Sequence, residues 1–139
     1  MDDFRGRNMG LIYQKHHFFS SLNMLENIIL PSTMSGLKIH DDWLNHLLDK
    51  LDIQSKSKQK PQSLSEGELQ RASIARALVL KPKLVLADEP TSSLDDINCS
   101  VVVQLLQNLN REVGSSLVIV THDQRLRSSF STSLILERQ

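Results

Sequence analysis

The chain has a single cysteine, Cys99, among 139 residues. That excludes an internal disulfide and leaves no cysteine cluster for zinc, so a reducing compartment is expected. Neither sign of charge is in excess: 16 basic and 16 acidic residues give a formal net charge of +0. No electrostatic footprint for nucleic acid is therefore visible. No apolar run approaches the roughly 18 residues that would read as a bilayer-spanning helix. The start, MDDFRGRNMG, is polar and has no apolar core of a secretory signal. Internal repeats and sustained heptads are also missing. What remains is 40% hydrophobic and 23% charged, which suits a soluble globular protein, and the length fits one domain with a real though not large core.

The stretch that organises the chain is KLVLADEPTSSLD, Lys83 to Asp95. A short apolar, β-prone run bounded by Pro82 and Pro90 predicts a buried strand of a parallel sheet. It ends in adjacent carboxylates, Asp88 and Glu89. Ligands of open α/β sheets bind beyond the carboxyl ends of the strands. Two acids there are costly against an apolar core unless a cation or a proton joins them. Nucleotide hydrolysis uses such a pair, one carboxylate holding Mg²⁺ and the next polarising the attacking water. Taken as an isolated dipeptide, Asp-Glu before proline equally suits a strand end that opens into a solvated turn.

Other elements follow from periodicity. Met9 to Tyr13 is a short β-prone run leading into Gln14. Ser20, Ser21 and Asn23 are candidate caps for a helix carrying Leu25, Ile28 and Ile29, which Pro31 is expected to end, leaving PSTMSG as a turn. His40 to Leu51 places Trp43, Leu44, Leu47, Leu48 and Leu51 on one helical face, with Asp41 and Asp42 complementing its dipole. DIQSKSKQKPQS reads as an exposed loop kept in solution by its lysines. A helix starts at Ser65 and stops at Pro82. Ile97, Val101, Leu105, Leu109 and Val113 recur every four residues in an amphipathic helix closed by Gly114. SLVIV, Ser116 to Val120, is a second buried strand ending in Thr121-His122-Asp123. A short helix at Gln124 to Ser129 and a last strand at Ser133 to Leu136 complete the chain. Alternating strands and helices make an α/β layer, whereas Ser20 to Leu80 is nearly all helical.

Ser65 and Glu68 fit the S-x-x-E capping box. Gly67 in the first turn lets a phosphate approach the backbone, and a helix N-terminus with a nearby hydroxyl suits an anion. Capping alone does not call for that glycine, which costs roughly 0.5–1 kcal/mol relative to alanine.

LSEGE followed by LQRASIARAL closely resembles the signature motif of ABC-type ATPases, LSGGQ or LSGGE followed by xQRxAIARAL. LVLADEPTSSLD resembles their Walker B strand, catalytic glutamate and D-loop. Gln14 after GLIY resembles their Q-loop, and His122 in VIVTHD their switch histidine. The four motifs stand in the family's order and cover the chain from about Arg5 to Leu136. YQKHHFFSSLNMLENIILP further resembles the ATPase subunits of lipoprotein-releasing and macrolide-export transporters.

The resemblance implies a P-loop NTPase-like, mostly parallel α/β fold with an inserted α-helical subdomain. Residues 1–19 would be the Q-loop strand and loop, 20–80 the helical subdomain with the signature helix, and 81–139 the α/β core. It implies ATP and Mg²⁺ as ligands. Asp88, with Gln14, would order the Mg²⁺ shell; Glu89 would be the general base; His122 would contact the γ-phosphate. Ser65, Gly67 and Glu68 would face ATP held by an opposing subunit, and Asp95 with Ser92 to Leu94 would form the D-loop. By themselves, His122, Gln14 and Asp95 are also compatible with a strand-end histidine, a solvated glutamine and a helix cap. The implied partners are a second ATPase subunit, head to tail, and integral membrane transporter subunits. The implied location is the cytoplasmic face of the inner or plasma membrane.

Two departures matter. No GxxxxGK[ST] occurs, and only 13 residues precede Gln14. That loop supplies the backbone cradle, the phosphate-binding lysine and a hydroxyl for Mg²⁺. The expectation is an N-terminally truncated ATPase domain, inactive alone, with apolar sheet surface left bare. Glu66 stands where the family has glycine, and Leu69 where glutamine is common. Alternative readings are a non-catalytic partner that presents its signature to an intact subunit, or a non-functional gene fragment. A DNA-repair or chromosome-structure ATPase is disfavoured, since the 49 residues between Gln14 and Leu64 carry neither heptads nor cysteines.

Overall fold

The computed structural model describes residues 7–136; the polar start, 1–6, and residues 137–139 lie outside it. Three parallel strands form one sheet in the order β1 (Met9–Ile12), β2 (Leu84–Asp88), β3 (Ser116–Val120). Four helices that lie wholly among the described residues accompany them: α1 (Met24–Ser35), α2 (Asp41–Lys50), α3 (Glu66–Leu78) and α4 (Asp96–Val113). A six-residue 3₁₀ segment, Gln124–Ser129, follows β3.

The register aligns Gly10, Val85 and Leu117 on one face of the sheet, and Ile12, Ala87 and Ile119 beside them. That face is the covered one: Ile12, Val85 and Ala87 are buried and join a core with α3 and α4. The opposite face carries Leu11, Leu86 and Val118 in one row and Asp88 with Val120 at the carboxyl end. There Leu11, Val118 and Val120 are exposed. The strands thus read as apolar throughout, as a sheet buried on both faces requires, yet these residues cover only one face.

α3 is the hinge of the packing. It contacts β1 and α4 on one side and α1 on the other, so its Ala72, Ile74, Ala75 and Leu78 are all buried. Its N-terminus is the predicted capping box: Ser65 Oγ accepts from Glu68 N–H, and the Glu68 carboxylate accepts from Ser65 N–H at 2.9 Å. At the other end, Trp43 of α2 donates its indole N–H to Leu78 O, 3.1 Å, a carbonyl that also accepts the Lys81 N–H at 2.9 Å.

Five expectations need correction. β3 is a strand as expected but not a buried one: Ser116, Val118 and Val120 are exposed, and Leu117 and Ile119 are half-buried. α1 runs through Pro31 to Ser35 and ends at Gly36, φ 71°, whose N–H bonds Ser32 O. Proline removes one intrahelical bond, but Met24, Asn27 and Ile28 anchor the helix in the core, and tertiary packing outweighs local propensity. The stretch after Leu51 is not a loose solvated loop. Ile53 is buried, and the carbonyls of Gln59 and Ser57 accept the Met24 and Leu25 N–H groups at 2.9 Å. In α4 the buried stripe is Cys99, Val102, Val103, Leu106, Leu109 and Asn110, whereas Ile97 and Val101 are exposed. A strict four-residue repeat advances 40° past each full turn, so it drifts off one face within a few steps. Finally, Ser133–Leu136 pairs with no strand, and Leu134, Ile135 and Leu136 are exposed.

Candidate functional site

The carboxyl ends of β2 and β3 meet at a corner built around Glu89. Glu89 has φ 48°, a left-handed conformation that costs a non-glycine residue about 1–2 kcal/mol. Three bonds hold it. Its N–H donates to Val120 O at 2.8 Å, and its carboxylate accepts the Thr121 hydroxyl at 2.9 Å and the His122 N–H at 2.8 Å. The His122 ring is fully exposed, with Nε2 4.0 Å from the Glu89 carboxylate. Backbone strain at a carboxylate so well fixed is a feature of sites in which a group is pre-set for a task.

Gln14, Glu89, Ser92, His122, Asp123 and Arg125 line one cleft of about 430 Å³. Three residues singled out from the sequence, Gln14, Glu89 and His122, are therefore brought together from three separate elements. Asp88 lies one residue before, exposed at the end of β2 and on the uncovered face of the sheet. Among the described residues no three His, Cys, Asp or Glu side chains are grouped so as to hold a metal. Mg²⁺ commonly takes one or two carboxylates, waters and substrate phosphate oxygens. A single aspartate with a glutamine amide fits that partial role, and does not make a site by itself.

The Gln14 turn is pinned to α3. Arg76 donates to His16 O at 2.5 Å and His17 O at 3.2 Å, and its guanidinium lies 4.5 Å from the Phe18 ring centroid. His17 has φ 51°. His16 Nε2 stands 3.4 Å from the Glu66 carboxylate, so the glutamate that replaces the expected glycine reaches toward the Gln14 turn. Burial pushes the His16 imidazole below its ordinary pKa, against the pull of Glu66, with Arg76 and His17 also lowering it.

Ser65, Gly67 and Glu68 do not line that cleft. The Ser65 N–H holds the Glu68 carboxylate below its ordinary pKa, and Lys56, 3.4 Å away, adds to this. Glu68 is thus committed to its own helix. A Cβ on Gly67 would meet Asn98 Oδ1 at 3.4 Å, an ordinary contact. Packing within the chain therefore does not demand glycine there. Asn98 in turn donates to Asp95, whose carboxylate caps α4 through Asn98 N–H at 2.8 Å, and these bonds keep Asp95 below its ordinary pKa.

Two participants escaped the sequence reading. Thr91, fully buried, donates its hydroxyl to Asp123 at 2.7 Å. Arg125 chelates the same carboxylate. Arg125 holds Asp123 far below the usual aspartate range, with Thr91 contributing. The one available signal was that an arginine two residues after an aspartate at a strand end can fold back on it.

The cleft thus lies beyond the carboxyl ends of a parallel sheet, where open α/β folds bind their ligands. The pattern of the family described as "ABC transporter" matches residues 1–92, and the chain belongs to that family. It is 40% identical over 134 residues to the lipoprotein-releasing system ATP-binding protein LolD of Legionella pneumophila (strain Lens), covering 95% of this chain and 59% of that protein. Against the LolD protein of Pseudoalteromonas translucida it is 44% identical over 125 residues, 88% of this chain and 54% of the other. The chain thus spans little more than half the length of these curated relatives. A dimeric ATP-binding cassette in a post-hydrolysis state, bound to ADP and Pi, superposes with TM-score 0.72 at 34% identity, over 88% of this chain and 55% of that one. A dimeric bacterial ABC transporter cassette gives TM-score 0.75 at 33% identity, with the same coverage. No helix among the described residues is long and apolar enough to cross a membrane.

Proposed function

We propose that these residues form the water-activating and signalling half of an ATP site in an ABC transport ATPase of the lipoprotein-releasing kind. The observation that carries it is the convergence of Gln14, Glu89 and His122 on one cleft, with Glu89 fixed by three hydrogen bonds. In this reading the attacking water sits against the Glu89 carboxylate, which takes its proton. His122, exposed beside Glu89, reaches the γ-phosphate and stabilises the charge that develops on it. Asp88 and the Gln14 amide would hold Mg²⁺ through its hydration shell, and the ion would supply neutralisation of the phosphate charge. Since the sequence contains no GxxxxGK[ST], the phosphate cradle comes from outside these residues.

The test is a chimera that places the preceding part of the L. pneumophila relative before this chain. It is expected to hydrolyse ATP with Mg²⁺, and Glu89→Gln to lower turnover by about 10²–10⁴-fold, the range for loss of a general base. A folded, ATP-binding chimera without turnover, or one indifferent to Glu89→Gln, overturns the reading.

A second reading has its own observation. Gly67 is not required by packing inside the chain, and Ser65 and Gly67 do not line the cleft that holds Glu89. They are suited to ATP held by an opposing subunit, with this chain as partner to an intact ATPase. Adding the chain to such a subunit should then change its ATP turnover; no change at saturating chain removes this role.

A further inference from the structure

Arg125 has every donor engaged. Nε bonds Asp123 at 2.9 and 3.1 Å. Nη2 bonds Asp123 Oδ2 at 2.7 Å and Thr91 O at 3.1 Å. Nη1 bonds Leu94 O at 3.0 Å and Asp96 Oδ1 at 2.9 Å. Its acceptors come from two segments. One is the turn from Thr91 to Asp96, gripped at both ends. The other is Asp123, next to His122 and bonded as well by the buried Thr91 hydroxyl. A planar guanidinium with five fixed donors can satisfy such a set at once; an ammonium on a flexible stem cannot. Glu89 bonds Thr121 and His122 from below the turn, and Ser92 reaches back only to Glu89 O.

We propose that Arg125 is a positioning residue that ties the 91–96 turn to the His122 corner, so that the two move as one body. The reach of this inference rests on the proposed function, in which His122 faces the phosphate. Through Arg125 a displacement of the turn would carry directly to His122, without any contact of Arg125 with nucleotide.

Native-state hydrogen exchange on the 139-residue chain tests the tie without nucleotide, so its outcome is separate from that of the chimera. The reporters are the Leu94 amide, bonded to Thr91 O, and the His122 amide, bonded to Glu89. In the native chain they should exchange through a common opening with the same denaturant dependence. In Arg125→Met, Leu94 should exchange at least about tenfold faster and separate from His122, while amides of β2 keep their protection. Arg125→Lys should restore part of the coupling, and Asp96→Asn, which leaves the five bonds to Asp123, Thr91 and Leu94 in place, should leave the two reporters together. Independent openings in the native chain overturn the proposal, as does unchanged coupling in Arg125→Met. Should that variant fail to fold, Arg125→Lys with coupling equal to the native chain overturns it equally.

Discussion

Gly10 of β1 lies beneath the main-chain carbonyl of Ala77 in α3: a Cβ built on Gly10 would stand 2.3 Å from that oxygen and 3.1 Å from Pro82 Cγ. The obstacle is backbone, which cannot swing aside. The approach lets α3, which carries the signature-like cap at its start, seat its last turn against the sheet. Gly10→Ala should therefore push helix from strand and lower stability by about 1–3 kcal/mol, the range for overpacking. Urea unfolding of the two chains reads this directly; an unchanged midpoint would show that α3 does not sit where we describe it.

Gly67 makes the opposite case. Its Cβ space is open to ordinary contact with Asn98, and it occupies the first turn of a capped helix. Gly67→Ala should fold and gain up to about 1 kcal/mol from helix propensity. In the mixed system with an intact ATPase subunit, the same variant should abolish whatever change in turnover the native chain produces. A stabilised variant with full effect on the partner would detach Gly67 from nucleotide contact.

Pro31 sits in the interior of α1. Pro31→Ala restores an N–H and removes the ring clash with residue 27, whose carbonyl is the natural acceptor. We expect a gain of about 1–3 kcal/mol, read as a higher denaturant midpoint with unchanged slope. A loss would mean that the surrounding helices have packed around the proline ring.

His16 should give a pH signature. Its folded-state pKa lies below the ordinary value, chiefly through burial, so between the two values the unfolded chain binds more protons. Stability is then full above the unfolded value, about 6.5, and falls as pH drops through the folded one. Stability measured from pH 7.5 to 5 should slope downward on acidification, and His16→Gln should flatten that part of the curve. Parallel curves for the two proteins would exclude His16 as its source.

Much of this arrangement could be read along the chain. β2, β3 and the capping box of α3 depend on runs and caps only a few residues long, and Gly114 closes α4 at φ 75° as such a residue should. The failures share a cause. The path of α1 through Pro31 was set by what its buried face touches. The 52–63 segment was set by carbonyls that meet α1, and backbone groups leave no mark on composition. The face of α4 was misplaced because a repeat of four resembles, without equalling, the period of the helix. Asn27 is a further example: its side chain bonds Phe19 N–H and the carbonyls of Phe19, Leu22 and Asn23, securing the loop that leads from Gln14 to α1.

By itself the order of residues determined the chemical inventory: paired acids at a strand end, a histidine after the next strand, a glutamine after the first, and a capped helix beginning with serine. It also determined the family, because those motifs are local and ordered. Only the tertiary structure decided which of them share a cleft, that Arg125 bonds both the turn at 91–96 and Asp123 beside the histidine, and that one face of the sheet is covered while Leu11, Val118 and Val120 on the other are exposed. Those relations join residues tens of positions apart. They are set by strand register, helix packing and shared hydrogen bonds, none of which the chain displays until it folds.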